Sequence, residues 1–148
     1  MHKHNFTLIE ILVSVTIIAI LAGMLIGGLN YASKRADTAK TQAILEEFQM
    51  ALDAFKHDKG YYPPSSSEHN IVFSDTSGFQ LQLAQPFDFH KNNKPYIEMQ
   101  PGTLQDAWGN DIMYQCPGAH NQQGYDLRSY GPDGNPNTTD DLTNWKQN

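Results

Sequence analysis

The chain has 148 residues, a formal net charge of −6 and one cysteine, Cys116. Setting aside an apolar N-terminal stretch, the remainder suffices for one small domain and excludes a second core. The absence of any basic run excludes nucleic acid as the main partner, since phosphate binding needs clustered Lys or Arg, and the lone cysteine excludes an internal disulfide.

Residues 11–29 carry no charge. As a helix rising ~1.5 Å per residue they span roughly 28 Å, close to the ~30 Å hydrocarbon core of a bilayer. Residues 6–30 are therefore expected to make one membrane pass, oriented only weakly by the basic flanks Lys3 and Lys34-Arg35. A cleaved secretory signal peptide, cut after Gly28 or Ala32, is the alternative. Against it stand a run longer than the ~7–15 residues of a signal core and Glu10 at its mouth, which costs ~2.5–3.5 kcal/mol if carried to the bilayer centre. Ala19, Gly23 and Gly27 fall four apart, as glycine tolerated in a membrane helix or as a close helix–helix contact face.

Ala36, Ala43, Ile44, Phe48, Ala51, Leu52 and Phe55 continue at helical spacing, with Lys40, Glu46, Glu47, Asp53 and Lys56 on the other side. This predicts an amphipathic helix to about residue 59, ended by a left-handed Gly60 and by Pro63-Pro64. Phe6-Thr7-Leu8-Ile9-Glu10, then an apolar run and a long amphipathic helix, resembles the N-terminal signal of the type IV pilin and type II secretion pseudopilin superfamily.

The resemblance implies a leader of residues 1–5, removed by a prepilin peptidase between Asn5 and Phe6 with methylation of the new amino terminus. It also implies a role for Glu10 in assembly: in a filament its carboxylate would face the cationic amine of Phe6 on a neighbouring copy, offsetting the cost of either charge in low dielectric. Asn5 departs from the family, which has Gly before the cut.

Lys59-Gly60-Tyr61-Tyr62-Pro63-Pro64 resembles the turn that follows the long helix in the major pseudopilin family. Ser65–Asn70 reads as a loop by composition, and residues 65–95 form a variable insert. Within it Gly78–Gln85 suggests a short helix, although the period is ambiguous, and His90–Pro95 suggests a turn. Short strands are expected at Tyr96–Met99, Asp111–Gln115 and Tyr125–Ser129. Asp106-Ala107-Trp108-Gly109-Asn110 resembles a turn element of the same family. Its expected role is structural, Trp108 giving a large buried area and Gly109-Asn110 a tight turn; an aromatic ligand platform is the alternative. Asp126 and Arg128, on one face of a strand, suggest a surface pair.

"SYGPDGNPNTTDDLTNW", residues 129–145, gathers three carboxylates with almost no hydrophobic filling, so core burial cannot order it. Calcium takes ~6–8 oxygens from carboxylates, carbonyls and water and would remove the repulsion. An EF-hand fails, because Thr138 stands where Gly is required and Asn144 where the bidentate Glu belongs. The stretch resembles instead the C-terminal calcium loop of the major pseudopilins. By that resemblance Asp133, Asp140 and Asp141 are side-chain ligands of Ca2+, and Tyr130 and Thr138 contribute backbone carbonyls. A solvated acidic tail is the alternative.

The histidines form no metal pair, no Ser sits in a nucleophile elbow, and Cys116 reads as a small buried side chain. A membrane-anchored, calcium-stabilised hydrolase is thus poorly motivated, and no catalytic residue is assigned. The expected fold is α+β and pilin-like: a long N-terminal helix, half transmembrane and half amphipathic, packed on a small antiparallel sheet of three or so strands, with a calcium loop in residues 96–145. The resemblance implies a non-enzymatic subunit held in the bacterial inner membrane, with residues 31–148 in the periplasm. It would polymerise with copies of itself into a pseudopilus that exports folded proteins, alongside minor pseudopilins and an inner-membrane assembly platform. A type IV pilus or DNA-uptake pilin is the alternative machine.

Overall fold

A computed structural model describes residues 7–74, 80–82, 86–92, 94–99 and 101–145, with backbone alone at 25–30, 66, 74, 80–82, 86–87 and 90. Asn5 and Phe6, and the leader they belong to, lie outside the described residues. The first element is helix α1, Leu8–Lys59. Its Thr7-x-x-Glu10 start is a capping box: the Thr7 N–H donates to Glu10 Oε2 at 2.8 Å and the Glu10 N–H returns to Thr7 Oγ1 at 3.3 Å. Gly60, with φ +87°, ends it as expected, its N–H donating to the Lys56 carbonyl at 2.7 Å.

Residues 1–36 and 37–148 form two units. In the first, eleven large apolar side chains from Leu8 to Met24 are exposed, by 48% at Val13 and 84% at Leu8. The hydroxyls of Ser14 and Thr16 donate to the carbonyls of Glu10 and Leu12 at 2.8 and 2.7 Å, so both protons are turned to the helix's own backbone. Among the described residues no helix is long and apolar enough to cross a membrane; the described apolar side chains stop at Met24, inside the run 11–29 read from the sequence.

In the second unit α1 buries Thr41, Leu45, Phe48, Ala51, Leu52 and Phe55, a stripe at spacings of three and four. Ala43, expected on that stripe, is exposed and Ile44 only half-buried, while Ala36, exposed too, belongs to the first unit; Thr41 and Leu45 take the inner positions. Thr41 keeps its hydroxyl satisfied by accepting the Ala107 N–H at 3.1 Å.

Among the described residues ten short strands follow: β1 (Ser65–Asn70), β2 (Val72–Ser74), β3 (Gln80–Gln82), β4 (Pro86–Asp88), β5 (His90–Lys91), β6 (Lys94–Pro95), β7 (Gly102–Thr103), β8 (Met113–Cys116), β9 (Asp126–Ser129) and β10 (Leu142–Thr143). They form two four-stranded antiparallel sheets, β1-β8-β9-β10 and β4-β3-β2-β7, and the hairpin β5-β6. The two sheets meet at Ile71, whose N–H donates to Ile112 and whose carbonyl accepts from Leu104 at 2.7 Å.

The core is aromatic. Phe48 meets Phe73 and Tyr114 edge-on at 6.1 and 6.4 Å, and Phe55 stacks on Phe89 at 5.3 Å, arrangements worth ~0.5–1.5 kcal/mol per pair beyond area burial. The buried Tyr114 hydroxyl donates to the Pro63 carbonyl at 2.9 Å.

The α+β plan and the strands at 113–116 and 126–129 agree with the sequence reading; four details differ. Ser65–Asn70 is an edge strand, paired to β8 on one side, where composition reads a loop. Gln80–Gln82 is extended and pairs with both β2 and β4, so the short helix is not formed there. Tyr96–Met99 is irregular, because Tyr96 and Ile97 turn inward to the core instead of entering a ladder. Trp108 is half-buried and outside the core cluster, so the large buried area expected of it is supplied by Phe48, Phe89 and Tyr114.

Candidate metal centre

The β9–β10 ladder, with Leu142 opposite Ser129 and Thr143 opposite Arg128, closes residues 130–141 into a hairpin loop. Little apolar surface is available there, so polar bonds shape it. Asp133 Oδ1 accepts the Asn135 N–H at 2.8 Å, Asp140 Oδ2 the Asp133 N–H at 3.2 Å, and Asp141 Oδ2 the Asn137 N–H at 2.9 Å. Gly131 turns with φ +65°, and a Cβ there would collide with the Asp140 carbonyl, so only glycine lets the two limbs of the loop approach.

The three carboxylates converge. The Thr138 hydroxyl lies 2.7 Å from Asp140 Oδ1, 3.0 Å from Asp141 Oδ1 and 3.4 Å from Asp133 Oδ1. A hydroxyl has one proton to give. At most one of these anionic oxygens is therefore served by it, and of the other two Asp133 Oδ1 has the Asn135 N–H as well. The Thr138 hydroxyl first of all holds the Asp140 carboxyl below its usual range, with a smaller contribution from the Asp133 N–H and partial opposition from burial.

This all-oxygen donor set, with a surplus of negative charge, is of the kind hard divalent cations take. Among the described residues no three His, Cys, Asp or Glu side chains are grouped as they would be around a metal ion. The structure thus brings the side chains of Asp133, Asp140 and Asp141 to the Thr138 hydroxyl, whereas Thr138 is expected to contribute its carbonyl. Tyr130 joins through position alone, opening the loop with its ring beneath the Arg128 guanidinium at 4.8 Å.

The expected Asp126–Arg128 pair is not formed. Arg128 reaches across β8 to Glu68, with Nη2 2.7 Å from Oε2, and sends Nη1 to Asn137 of the loop at 3.2 Å. Asp126 is buried and accepts the backbone N–H groups of His120 and Asn121 at 2.8 and 2.9 Å. Sequence reasoning also misses Asn137 and a support beneath the loop built from Asp106, Asn110 and Ser129. The only signal for the latter is the turn Asp106–Asn110, which by itself says nothing of its distant contacts.

The family described as "Type II secretion system (T2SS), protein G" matches residues 29–145. The chain is 35% identical over 144 residues to the type II secretion system core protein G of Escherichia coli K12, covering 97% of this chain and 91% of that one. The protein of the same name from Klebsiella pneumoniae is 35% identical, with 97% and 94% covered, and that from Pseudomonas aeruginosa 30%, with 97% and 95%. Among solved structures, the major pseudopilin of the type 2 secretion system of enterohaemorrhagic Escherichia coli superposes with a TM-score of 0.52 at 28% identity, covering 79% of this chain and 93% of that one.

Proposed function

Since the chain belongs to the type II secretion system protein G family, we propose that it acts as the repeating unit of the secretion pseudopilus, polymerising through α1. It is a structural subunit, a major pseudopilin, and not an enzyme. That membership decides for the secretion machine over a pilus or DNA-uptake pilin and against the hydrolase.

The observation that carries the assembly reading is the exposed apolar surface of Leu8–Met24. At about 25 cal/mol per Å2 such a surface is not left in water. Lipid covers it in the waiting protomer, as one inner-membrane pass with the rest in the periplasm, and neighbouring copies cover it in the fibre. Glu10 sits at the start of that surface, where the cationic amine of a processed Phe6 on another copy is its natural partner.

Calcium belongs to the C-terminal loop in this reading. Asp133, Asp140 and Asp141 would hold it, with the carbonyls of Tyr130 and Thr138, and its charge would neutralise the carboxylates crowded on one hydroxyl. Prepilin peptidase, minor pseudopilins and an inner-membrane assembly platform are the partners such a subunit needs. The test is complementation: in a secretor lacking its own major pseudopilin, this chain restores export of folded proteins and periplasmic fibres. Failure of both, with the chain expressed and inserted, rejects the reading.

A further inference from the structure

Asp106 is buried, 7% exposed, and lies outside the calcium loop. Its Oδ1 accepts the N–H groups of Trp108 and Asn110 at 2.9 and 2.8 Å, and its Oδ2 accepts the Ser129 hydroxyl at 2.6 Å. Both Ser129 and Asn110 then act on a single residue of the loop. Ser129 Oγ accepts the Gly131 N–H at 3.1 Å, and Asn110 Nδ2 donates to the Gly131 carbonyl at 2.7 Å. One buried carboxylate thus grips Gly131 by both its backbone polar groups. A short charge-assisted bond from a fully buried serine is among the stiffer links a protein makes.

The grip has a direction. The Tyr130–Gly131 peptide is trans, so fixing the Gly131 N–H toward Ser129 forces the Tyr130 carbonyl to point the opposite way. That carbonyl is one of the expected backbone ligands. On its other side Gly131 has no room for a Cβ against the Asp140 main chain, so where Gly131 sits fixes how far Asp140 approaches. Asn110 Oδ1 likewise crowds Gly134, where a Cβ would come within 3.1 Å. Main chain before Asp133 is therefore held from outside the loop, and the Asn110 side chain lies close to Gly134 after it.

We propose that Asp106, through Asn110 and Ser129, is the positioning device of the calcium site: it presets the Tyr130 carbonyl and the approach of Asp140 for the cation. The inference rests on the calcium reading above. Outer partners of this kind are worth about 10–100-fold in metal affinity in other sites, and the same range applies here.

The experiment is calorimetric titration of the full chain in detergent with calcium chloride, for the unmodified protein, Asn110→Ala and Ser129→Ala, with melting curves in calcium and in chelator. Each variant weakens calcium binding at least tenfold and loses much of the calcium-induced rise in melting temperature, while its melting temperature in chelator falls far less. Asn110→Ser, which keeps a short donor, recovers part of the affinity. Variants that bind calcium as the unmodified chain does, or that lose the same melting temperature with and without calcium, overturn the positioning role alone. No saturable binding by the unmodified chain overturns the calcium reading and this inference together.

Discussion

The Thr7 N–H and the Thr7 hydroxyl both point at one oxygen of Glu10, Oε2, at 2.8 and 2.9 Å. The carboxylate expected to be a bare penalty until it meets another copy is already engaged by its own helix start. Among the described residues Oε1 has no such partner, so capping and pairing are compatible: one oxygen ends the helix and the other awaits a cation.

Replacing Glu10 by Ala removes both functions. Loss of the cap costs about 1 kcal/mol of helix stability, which folding tolerates, whereas fibre formation and export are expected to be lost. Glu10→Ala fibres assembling at the normal level, seen by periplasmic fractionation and microscopy, would contradict the assembly role.

Crowding of three carboxylates on Thr138 predicts a calcium-dependent melting temperature. At a free concentration a hundredfold above the dissociation constant the gain is about 2.7 kcal/mol. Asp140→Asn is expected to abolish the gain and, because the Thr138 hydroxyl and the Asp133 N–H favour the charged Asp140 carboxyl, to leave the melting temperature in chelator no higher than that of the unmodified chain. Circular dichroism with calcium and with chelator measures both, and identical curves for the unmodified chain would remove the site.

The leader is expected to end at Asn5. Intact mass of membrane-extracted protein, coexpressed with a prepilin peptidase, should match residues 6–148 plus one methyl group. Persistence of the full mass under abundant peptidase would refute cleavage, and Asn5→Gly then shows whether the missing glycine is the obstacle.

Asp126 supplies a pH-dependent contribution. Burial opposes its charge, but the N–H groups of His120 and Asn121 and the His120 ring together hold its carboxyl below the usual range. A lowered folded value stabilises the native state above the ordinary Asp range of ~3.9 and ceases to do so as pH falls through the folded value. Denaturant melts of Asp126→Asn should therefore lie below the unmodified chain by a constant margin, about 1.5–3 kcal/mol, above pH ~5. That margin should narrow in stronger acid, and one independent of pH would disprove the assignment.

Much of this was readable from the chain because the signals were local. The glycine that ends α1 and the Gly-Pro-Asp-Gly loop each declare themselves within a few residues; the Thr7–Glu10 capping box is as local, yet the sequence reading assigns Glu10 to assembly alone. What escaped was tertiary. Ser65–Asn70 is polar and short, and becomes a strand because β8 offers it a free edge; Ser65 even buries fully there. Arg128 prefers Glu68, sixty positions away, to Asp126 two positions away, since the nearer carboxylate is consumed by the turn at His120. Asp106 reads as part of a tight turn, and nothing in its neighbourhood announces Ser129, twenty-three positions on.

The part-buried bond from the Ala107 amide to Thr41 bears on how copies are built into a polymer. Apolar ridges on a helix look much alike one turn apart, so greasy packing by itself tolerates a slip of about 5.4 Å along the axis. A directional bond to a single hydroxyl does not. Thr41 therefore works as an index mark, fixing one azimuth of the helix beneath the β layer of each copy.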